Sequence, residues 1–392
     1  MRACVVAVRP RAPGAVSMPP SPLAPPISPL RRAARAAELA RGADHFHEPR
    51  REDCPWCGSR RLRTRLRTPD LLRRGPGVFV LDECRDCAHT FQNPRLTAEG
   101  RAFYDCSGCS GCYDGSGCFA PEAHGAVTGV LDRLTARVLA ARATRRRLRA
   151  AARALPGRGE PESWLDVGTG DAGFPLVARQ VFPYTSFDGL DATPRVVRAR
   201  DAGRVEEAHV GRLTDPALTA RLRARYDVVS MFHHLPRTPD PRAELRAALA
   251  VLRPGGHLLI DLPDPRSAPA RLLGRHWAGH GQPHHLHLPR PANVRAELES
   301  HGCTILAAGR RAAHVPHDLS AAVLLALCGV LPAGDAPWRP APPTLLRRGV
   351  RAAVTYAALP VLAAALTLDH LLAPVARGTC LANGYRIIAR TP

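Results

Sequence analysis

The stretch WLDVGTGDAG, residues 164–173, holds the residues whose types and spacing are best suited to ligand chemistry. Gly168, Gly170 and Gly173 have the spacing of a loop that joins a strand to a helix and lets a ligand approach the backbone closely. Asp191 lies at the end of the next predicted strand, where its carboxylate can accept both hydroxyls of a ribose. The pattern therefore predicts a ligand with a nucleoside part, either NAD or an adenosyl compound.

Asp166, two residues before Gly168, distinguishes between these two ligands. A dinucleotide places its pyrophosphate at the start of the helix after such a loop, where a carboxylate would repel it. The same carboxylate attracts an ammonium or a sulfonium group. We therefore expect a cationic adenosyl ligand, with NAD as the alternative.

Two C-x-x-C pairs, Cys54 with Cys57 and Cys84 with Cys87, predict a structural zinc ribbon. The gap between the pairs is longer than usual, but a β-hairpin with residues 77–83 as its returning strand can fill it. Four protein ligands leave no open position on the metal, so we expect no chemistry at the zinc. The alternative interpretation is four buried free cysteines.

A second cysteine cluster has Gly and Ser between its members, which are Cys106, Cys109, Cys112 and Cys118. The C-x-x-C-x-x-C part is typical of iron–sulfur ligation, but the fourth cysteine is displaced and no proline follows it. We interpret the segment as an ordinary loop, with a second metal site as the alternative.

Strand and helix signals alternate from residue 163 onward and position these residues. Strands are predicted at 163–168, 184–191, 205–210, 226–233, 257–262, 303–309 and 384–390. Helices are predicted between successive strands, for example at 240–252 and 291–301. This alternation predicts an α/β fold with a doubly wound, mainly parallel sheet, whose ligands lie beyond the carboxyl ends of the strands.

Four segments in series resemble the class I S-adenosylmethionine-dependent methyltransferases: LDVGTGDAG, FDGLD, YDVVSMFHHLPRTPDP and VLRPGGHLLIDLPDP. The resemblance covers roughly residues 128–310 and returns at 384–390. It implies a seven-stranded Rossmann-like sheet whose last strand is antiparallel. The cysteine segment is similar to the ribbon found ahead of many bacterial methyltransferases that act on small molecules.

The resemblance also implies roles for individual residues. Four residues would line the methionine part of S-adenosylmethionine: Asp166, Gly168, Gly170 and Gly173. Asp191 would hold the ribose, and Ser230 to Phe232 would lie beside the adenine or the methyl group. The family often has an acidic residue after the third strand, but this chain has Arg212 there, so the adenine contact departs from the pattern.

A hydroxyl acceptor also needs a general base, and histidine is the natural type near neutral pH. His233 and His234 end the fourth strand, and His285 belongs to HWAGHGQPHHLHL, residues 276–288. The latter segment is similar to a family element that would roof the acceptor pocket. We name His234, His285 and His233 as the candidate catalytic residues. A metal site in the second histidine group is the alternative, although its spacing fits a proline-rich loop better.

The chain divides into six predicted parts, which are a disordered Pro/Arg-rich N-terminus (1–50), the ribbon (51–95), a linker with the Cys/Gly/Ser loop (96–127), the methyltransferase domain (128–310), an apolar helical insert (311–383) and the last strand (384–392). The insert contains apolar runs at 319–331 and 352–368. Neither reaches the ~20 uninterrupted apolar residues of a spanning helix, and we expect Pro360 to break the second run.

We interpret the insert as a helical cap on the sheet domain. One alternative is a membrane-surface hairpin through residues 315–376, with Arg347, Arg348 and Arg351 facing lipid. The other is a spanning pair of helices.

The formal net charge of +21 does not by itself indicate nucleic-acid binding, because all 55 basic residues are arginine and they are scattered along the chain. We expect methyl transfer to a small-molecule or lipid-linked acceptor, such as a sugar or a natural product. The alternatives are an RNA methyltransferase that uses the ribbon and the arginines, and a non-catalytic S-adenosylmethionine-binding module. We expect a cytoplasmic location, with membrane association through the insert as a further option.

Overall fold

The structure, a computed structural model, describes residues 27–104, 149–155, 159–376 and 379–392.

The ribbon forms a small antiparallel sheet near the start of the chain. Strand β1 (Leu62–Pro69) pairs with β2 (Val78–Cys84), and β2 pairs with β3 (Thr90–Gln92). The cysteine pairs lie on the turns before β1 and between β2 and β3. The returning strand therefore lies where the sequence predicts it.

Residues 27–50 are ordered, so the expected disorder does not extend through residue 50. Helix α1 (Pro29–Ala40) precedes the ribbon, and helix α2 (Ala98–Tyr104) follows it. Phe46 stacks on Phe103 with 4.4 Å between the ring centroids, and both rings are buried. This aromatic contact fixes a segment whose Arg and Pro content suggested disorder. Residues 1–26 and the second cysteine cluster, Cys106 to Cys118, lie outside the described residues.

The main sheet has the seven strands that the sequence predicts. They are β4 (Ser163–Val167), β5 (Ser186–Asp191), β6 (Ala208–Val210), β7 (Tyr226–Phe232), β8 (Leu252–Pro263), β10 (Thr304–Gly309) and β11 (Gly384–Arg390). Their order is β10-β11-β8-β7-β4-β5-β6. The pairs β4–β5, β5–β6, β4–β7 and β7–β8 are parallel, and β11 runs antiparallel between β8 and β10.

Helices connect the strands and cover both faces of the sheet. They are α3 (Gly173–Ala178), α4 (Arg195–Asp201), α5 (Pro216–Arg221), α6 (Pro241–Val251), α7 (Ala268–Leu272) and α8 (Pro291–Ser300). The Asp215 and Asp240 side chains accept hydrogen bonds from the first amides of α5 and α6, and a proline follows each as the first helical residue. This pairing of an aspartate cap with proline starts both helices at defined residues.

The ribbon and the main domain share a sheet. Strand β9 (His287–Leu288) pairs with β3, which gives the order β1-β2-β3-β9. His89 of the ribbon stacks on His287 with 5.3 Å between centroids, and their ring nitrogens Nε2 and Nδ1 are 3.0 Å apart. The ribbon is therefore built onto the segment that the sequence predicts as the pocket roof.

A buried ion pair fixes the position of β11. The Nε and Nη2 atoms of Arg386 donate to the two carboxylate oxygens of Asp261 on β8, at 2.6 and 2.7 Å. Both side chains are almost fully buried. Removing one partner of such a pair would leave an uncompensated buried charge, so the loss of either residue should destabilise the pairing of β11 with β8.

The apolar insert consists of helices α9 (Asp318–Val330) and α10 (Leu345–Ala376). The expected break at Pro360 is wrong, because α10 continues through both Pro360 and Pro374 for 32 residues. A proline removes one helical hydrogen bond and bends a helix, which a long helix packed on a neighbour can tolerate. Among the described helices, α10 is long and apolar enough to cross a membrane by length and composition, and only 11% of its most apolar window is buried.

Candidate functional site

The glycine loop begins directly after β4 and needs glycine for its backbone. Gly168 has φ of +74° and Gly170 has φ of +56°, conformations in which a β-carbon is strained. The Gly168 amide donates to the carbonyl of Leu190, and the Gly170 amide donates to Oδ2 of Asp191 at 3.0 Å. The loop is therefore fastened to the end of β5 before α3 begins at Gly173.

The loop lies at the point where the strand order reverses, since the chain runs from β4 toward β6 on one side and from β7 toward β8 on the other. Residues after β4 and after β7 meet there. A β-carbon on Gly168 would lie 2.5 Å from Nδ1 of His234. Ligands of open α/β sheets bind in the crevice at such a reversal, so this is the candidate site.

His234 is held by a partner on α6. Its Nε2 atom lies 2.8 Å from Oε1 of Glu244, a carboxylate that is nearly fully buried. An ionised carboxylate can only accept, so Nε2 carries the proton and donates to it. In the neutral ring, Nδ1 is then the unprotonated nitrogen, and it is the atom that faces Gly168. The pair therefore presents a proton acceptor to the glycine loop.

Glu244 is not among the residues found from the sequence. It lies in the first turn of α6, where an acidic side chain also favours the helix start. That local role does not indicate that Glu244 contacts His234. The sequence offers one signal, which is that an acidic residue begins the helix that follows a strand with histidines at its end.

Asp166 and Ser230 lie beneath the loop. The Ser230 hydroxyl donates to Oδ1 of Asp166 at 2.5 Å and accepts from the indole nitrogen of Trp164 at 2.9 Å. Ser230 is fully buried and both of these bonds point into the core. Its side chain thus supports Asp166 from below. Burial raises the pKa of Asp166 to about 6, although the Ser230 hydrogen bond and the nearby His234 oppose the shift.

The Asp191 carboxylate is already engaged by the protein. Besides the Gly170 amide at Oδ2, its Oδ1 accepts from the amide and the hydroxyl of Thr193, at 2.8 and 2.6 Å. Each carboxylate oxygen has two lone pairs, so Oδ2 keeps the capacity for a further donor. The ribose contact of Asp191 stays a prediction.

An ion pair that the sequence did not suggest lies beside the loop. Arg195, the first residue of α4, donates through Nε and Nη2 to the two carboxylate oxygens of Asp171, at 3.2 and 2.5 Å. A β-carbon on Gly170 would lie 3.6 Å from the central carbon of this guanidinium. The pair ties α4 to the glycine loop and narrows one side of the crevice.

Phe232 is the last residue of β7, and His233 follows it. The Phe232 ring lies 4.6 Å from the ring of Phe174 on α3, so it packs against the helix that follows the glycine loop. His233 has φ of +54°, and its amide donates to the carbonyl of Asp261 at 2.9 Å. A non-glycine residue in this conformation stores strain, which is common at functional sites.

His285 has different surroundings from His234. Its Nδ1 donates to the carbonyl of Gly279 at 3.0 Å, and a β-carbon on Gly281 would overlap its ring. Burial lowers the pKa of His285 to about 3, and Arg237 adds to the shift. The ring is therefore neutral and held within the roof. A catalytic role for His285 stays a prediction, as it does for His233 and His234.

The roof and the ribbon both contact the segment after His234. The Leu286 amide donates to the carbonyl of Pro236 at 2.6 Å. Arg95 of the ribbon and His287 of β9 both donate to the carbonyl of Pro239, at 2.7 and 3.1 Å. The ribbon is thus packed against the segment that follows His234.

The four ribbon cysteines form a compact thiol cluster. The sulfur atoms of Cys54 and Cys87 are 3.6 Å apart, as are those of Cys57 and Cys84, and all four lie within 4.8 Å of one another. A tetrahedral zinc ion with Zn–S bonds of about 2.3 Å separates its sulfurs by about 3.8 Å. The donors therefore fit zinc in number, type and spacing. Among the described residues, the histidines of 276–288 form no such group.

A family model described as a methyltransferase domain matches residues 137–308, which contain the glycine loop, His234 and Glu244. No curated protein sequence matches the chain.

Three solved structures illustrate the similarity found at the level of coordinates. The first is the 4+2 cyclase SpnF, with 19% identity, a TM-score of 0.41, and coverage of 64% of this chain and 82% of that chain. The second is an O-methyltransferase family protein from Burkholderia thailandensis, with 19% identity, a TM-score of 0.34, and coverage of 43% and 53%. The third is a geranyl diphosphate methyltransferase, with 12% identity, a TM-score of 0.37, and coverage of 66% and 80%.

Proposed function

We propose that the chain methylates a small-molecule or lipid-linked acceptor, with His234 as the general base. The premise is that residues 137–308, which match a methyltransferase domain, are of the class I S-adenosylmethionine-dependent type. S-adenosylmethionine supplies an electrophilic methyl group carried on a sulfonium. The residues present fit that cofactor. The crevice has a glycine cradle at Gly168 that a β-carbon would fill, and a buried carboxylate, Asp166, beneath it.

One observation supports the base, which is the orientation of the His234 ring between Glu244 and Gly168. Glu244 accepts from Nε2 and fixes the tautomer, so Nδ1 can accept a proton on the side of the glycine loop. A positioned base of this kind accelerates transfer to a hydroxyl by about 10²–10⁴-fold. Methyl transfer requires little else from the protein than alignment of acceptor and donor.

The burial of the aromatic residues in the ribbon favours a small acceptor over RNA. Its aromatic residues Trp56, Phe79 and Phe91 are 8%, 1% and 1% exposed, so they are not available to stack on bases. Instead the ribbon contributes β3, which pairs with β9 of the roof segment. We propose that this pair of strands forms a wall of the site and, with the roof, encloses the acceptor. The apolar insert next to the roof favours a hydrophobic or lipid-linked molecule.

We also propose that Cys54, Cys57, Cys84 and Cys87 hold a structural zinc ion. Two of the four thiols, Cys54 and Cys84, are almost fully buried, and the Trp56 amide donates to the Cys54 sulfur at 3.4 Å. Four thiolates complete a tetrahedral shell and leave no position for a substrate. The metal would therefore stabilise the ribbon and, through β9, the wall of the site.

A labelling experiment identifies the acceptor class. The protein would be incubated with S-adenosylmethionine carrying tritium in its methyl group and with an extract split into RNA, water-soluble small molecules and chloroform-soluble lipids. We expect label in one of the two non-RNA fractions, at least tenfold less with His234→Asn, and unchanged with the exposed control Glu299→Gln. Label in the RNA fraction alone would contradict the proposed acceptor class.

A further inference from the structure

The outward face of α10 is apolar along most of its length. Its largest exposed hydrophobic side chains from the middle of the helix onward are Val354, Tyr356, Val361, Leu368, Leu371, Leu372 and Val375, which are 38–70% exposed. The exposed positions between residues 353 and 375 hold no Asp, Glu or Arg. A helix that faces water normally carries charged residues on that side. A patch of this extent indicates contact with something other than water.

The inner face of α10 is attached to α9 at two points. Near its start, Arg351 donates to the carbonyl of Pro332 at 2.8 Å. Near its end, the buried carboxylate of Asp369 accepts from the Leu319 amide at 2.9 Å and the Ser320 hydroxyl at 2.7 Å. These contacts hold α10 lengthwise along α9.

Both ends of α9 are in turn attached to the body of the protein. At its first residue, Asp318 accepts from the Trp277 indole of the roof at 3.1 Å. Beyond its last turn, Arg74 of the ribbon donates to the carbonyl of Leu331 at 2.8 Å, and Arg32 pairs with Asp335 at 2.5 Å. Since α9 is fixed to the body at both ends and α10 lies along α9, these contacts set the orientation of α10 relative to the body.

Arginines gather at the start of α10. Arg339 lies close enough to Arg74, Arg347 and Arg351 for their charges to lower its pKa, in addition to the larger effect of its burial, and Asp335 is the acid that opposes them. Arg347 and the neighbouring Arg348 are exposed. Such a cluster attracts the phosphates of anionic lipids.

We propose that the outward face of α10 lies in the plane of an anionic membrane surface, with its apolar side chains at the boundary of headgroups and acyl chains and its arginine end among the phosphates. An apolar helix face next to a basic cluster is the arrangement that binds membrane interfaces. This inference concerns a surface outside the crevice and does not depend on the acceptor proposed above. It would bring the roof, through Trp277 and Asp318, close to the lipid.

Vesicle flotation tests this inference on the full chain. Vesicles of phosphatidylcholine alone and of phosphatidylcholine with phosphatidylglycerol would be used, each with the wild type and with Val361→Asp, Leu368→Asp and Arg347→Gln/Arg348→Gln. The control is Tyr184→Asp, which replaces an aromatic side chain that is 90% exposed just before β5, a strand separated from β11 by three others in the sheet. Circular dichroism would verify that each variant is folded.

We expect the wild type and Tyr184→Asp to float with the anionic vesicles. Each α10 aspartate variant should bind them about tenfold more weakly, because it loses an apolar side chain that the membrane would bury. The affinity of the arginine variant for anionic vesicles should fall about fivefold for each charge removed, and its affinity for neutral vesicles should change little. Absence of wild-type flotation on anionic vesicles would overturn the proposal. So would a concentration-dependent dimer in sedimentation that Val361→Asp dissociates, because a second copy would then cover this face.

Discussion

His234 contacts the glycine loop through one ring nitrogen and the Glu244 carboxylate through the other. A β-carbon on Gly168 would lie 2.5 Å from Nδ1, and Nε2 lies 2.8 Å from Oε1 of Glu244. The loop after β4 and the segment after β7 therefore form one unit, which α6 fixes through Glu244. This unit lies where the strand order reverses, so changes in it should alter cofactor binding and methyl transfer.

Gly168→Ala should weaken binding of S-adenosylhomocysteine at least tenfold. The new β-carbon would meet the His234 ring and would also occupy a left-handed conformation, which costs about 1–2 kcal/mol. The matched control is Gly203→Ala, where φ is +67° and no atom lies within 4 Å of the added carbon. It should lower the unfolding temperature without changing affinity. Calorimetry on both variants measures the difference, and equal affinities would contradict the described contact.

Glu244→Gln should lower kcat about 10- to 100-fold while leaving the affinity for S-adenosylmethionine unchanged. The amide cannot stabilise a protonated His234 as the carboxylate does, so proton transfer slows without a change in cofactor binding. Tritium transfer to the labelled acceptor gives kcat, and calorimetry gives the affinity. If affinity and unfolding temperature fall together with kcat, Glu244 is structural only and its positioning role is wrong.

Cofactor affinity should depend on the ionisation of Asp166. Burial raises the pKa of this carboxyl to about 6, so it is charged above that pH and neutral below it. Because the charged form attracts a cationic ligand, affinity for S-adenosylmethionine should fall about tenfold between pH 7.5 and pH 5.

Asp166→Asn provides the comparison for this pH dependence. This variant should bind S-adenosylmethionine weakly at both pH values. The exposed control Asp201→Asn should show the same pH dependence of affinity as the wild type. His234 and Asp191 also act on the Asp166 carboxyl, so the profile is recorded for His234→Asn as well. A wild-type affinity that is independent of pH would refute the proposed role.

The sequence predicted the main sheet well because local patterns determine it. Each strand is a short apolar run bounded by turn residues, and Asp215 and Asp240 each precede a proline at a helix start. The antiparallel β11 followed from the family resemblance. The pairing of Arg386 with Asp261 across β8 and β11 could not be predicted, because the two residues lie far apart in the chain.

The parts that sequence reasoning missed depend on tertiary contacts. Glu244 is an ordinary first-turn acid until α6 places it against His234. Residues 27–50 are ordered because Phe46 reaches Phe103, a contact between distant segments. Pro360 suggested a helix break, but α10 continues because α9 supports it on both sides of that residue.

The ribbon should contain about one equivalent of zinc after gel filtration. Cys57→Ser and Cys84→Ser should each lose it, since a hydroxyl is a poor replacement for a thiolate. The matched control is Cys303→Ser, a buried free cysteine outside the cluster, which should retain the metal. Metal analysis gives the stoichiometry. Less than half an equivalent in the wild type would reject the ribbon site.

Calorimetry with S-adenosylhomocysteine and with NAD, on the wild type and on Asp166→Ala, tests the central claim most directly. We predict that the wild type binds S-adenosylhomocysteine in the micromolar range, that NAD gives no heat, and that Asp166→Ala binds at least tenfold more weakly. Binding of NAD with no heat from S-adenosylhomocysteine would contradict the assignment of the crevice between Gly168 and His234.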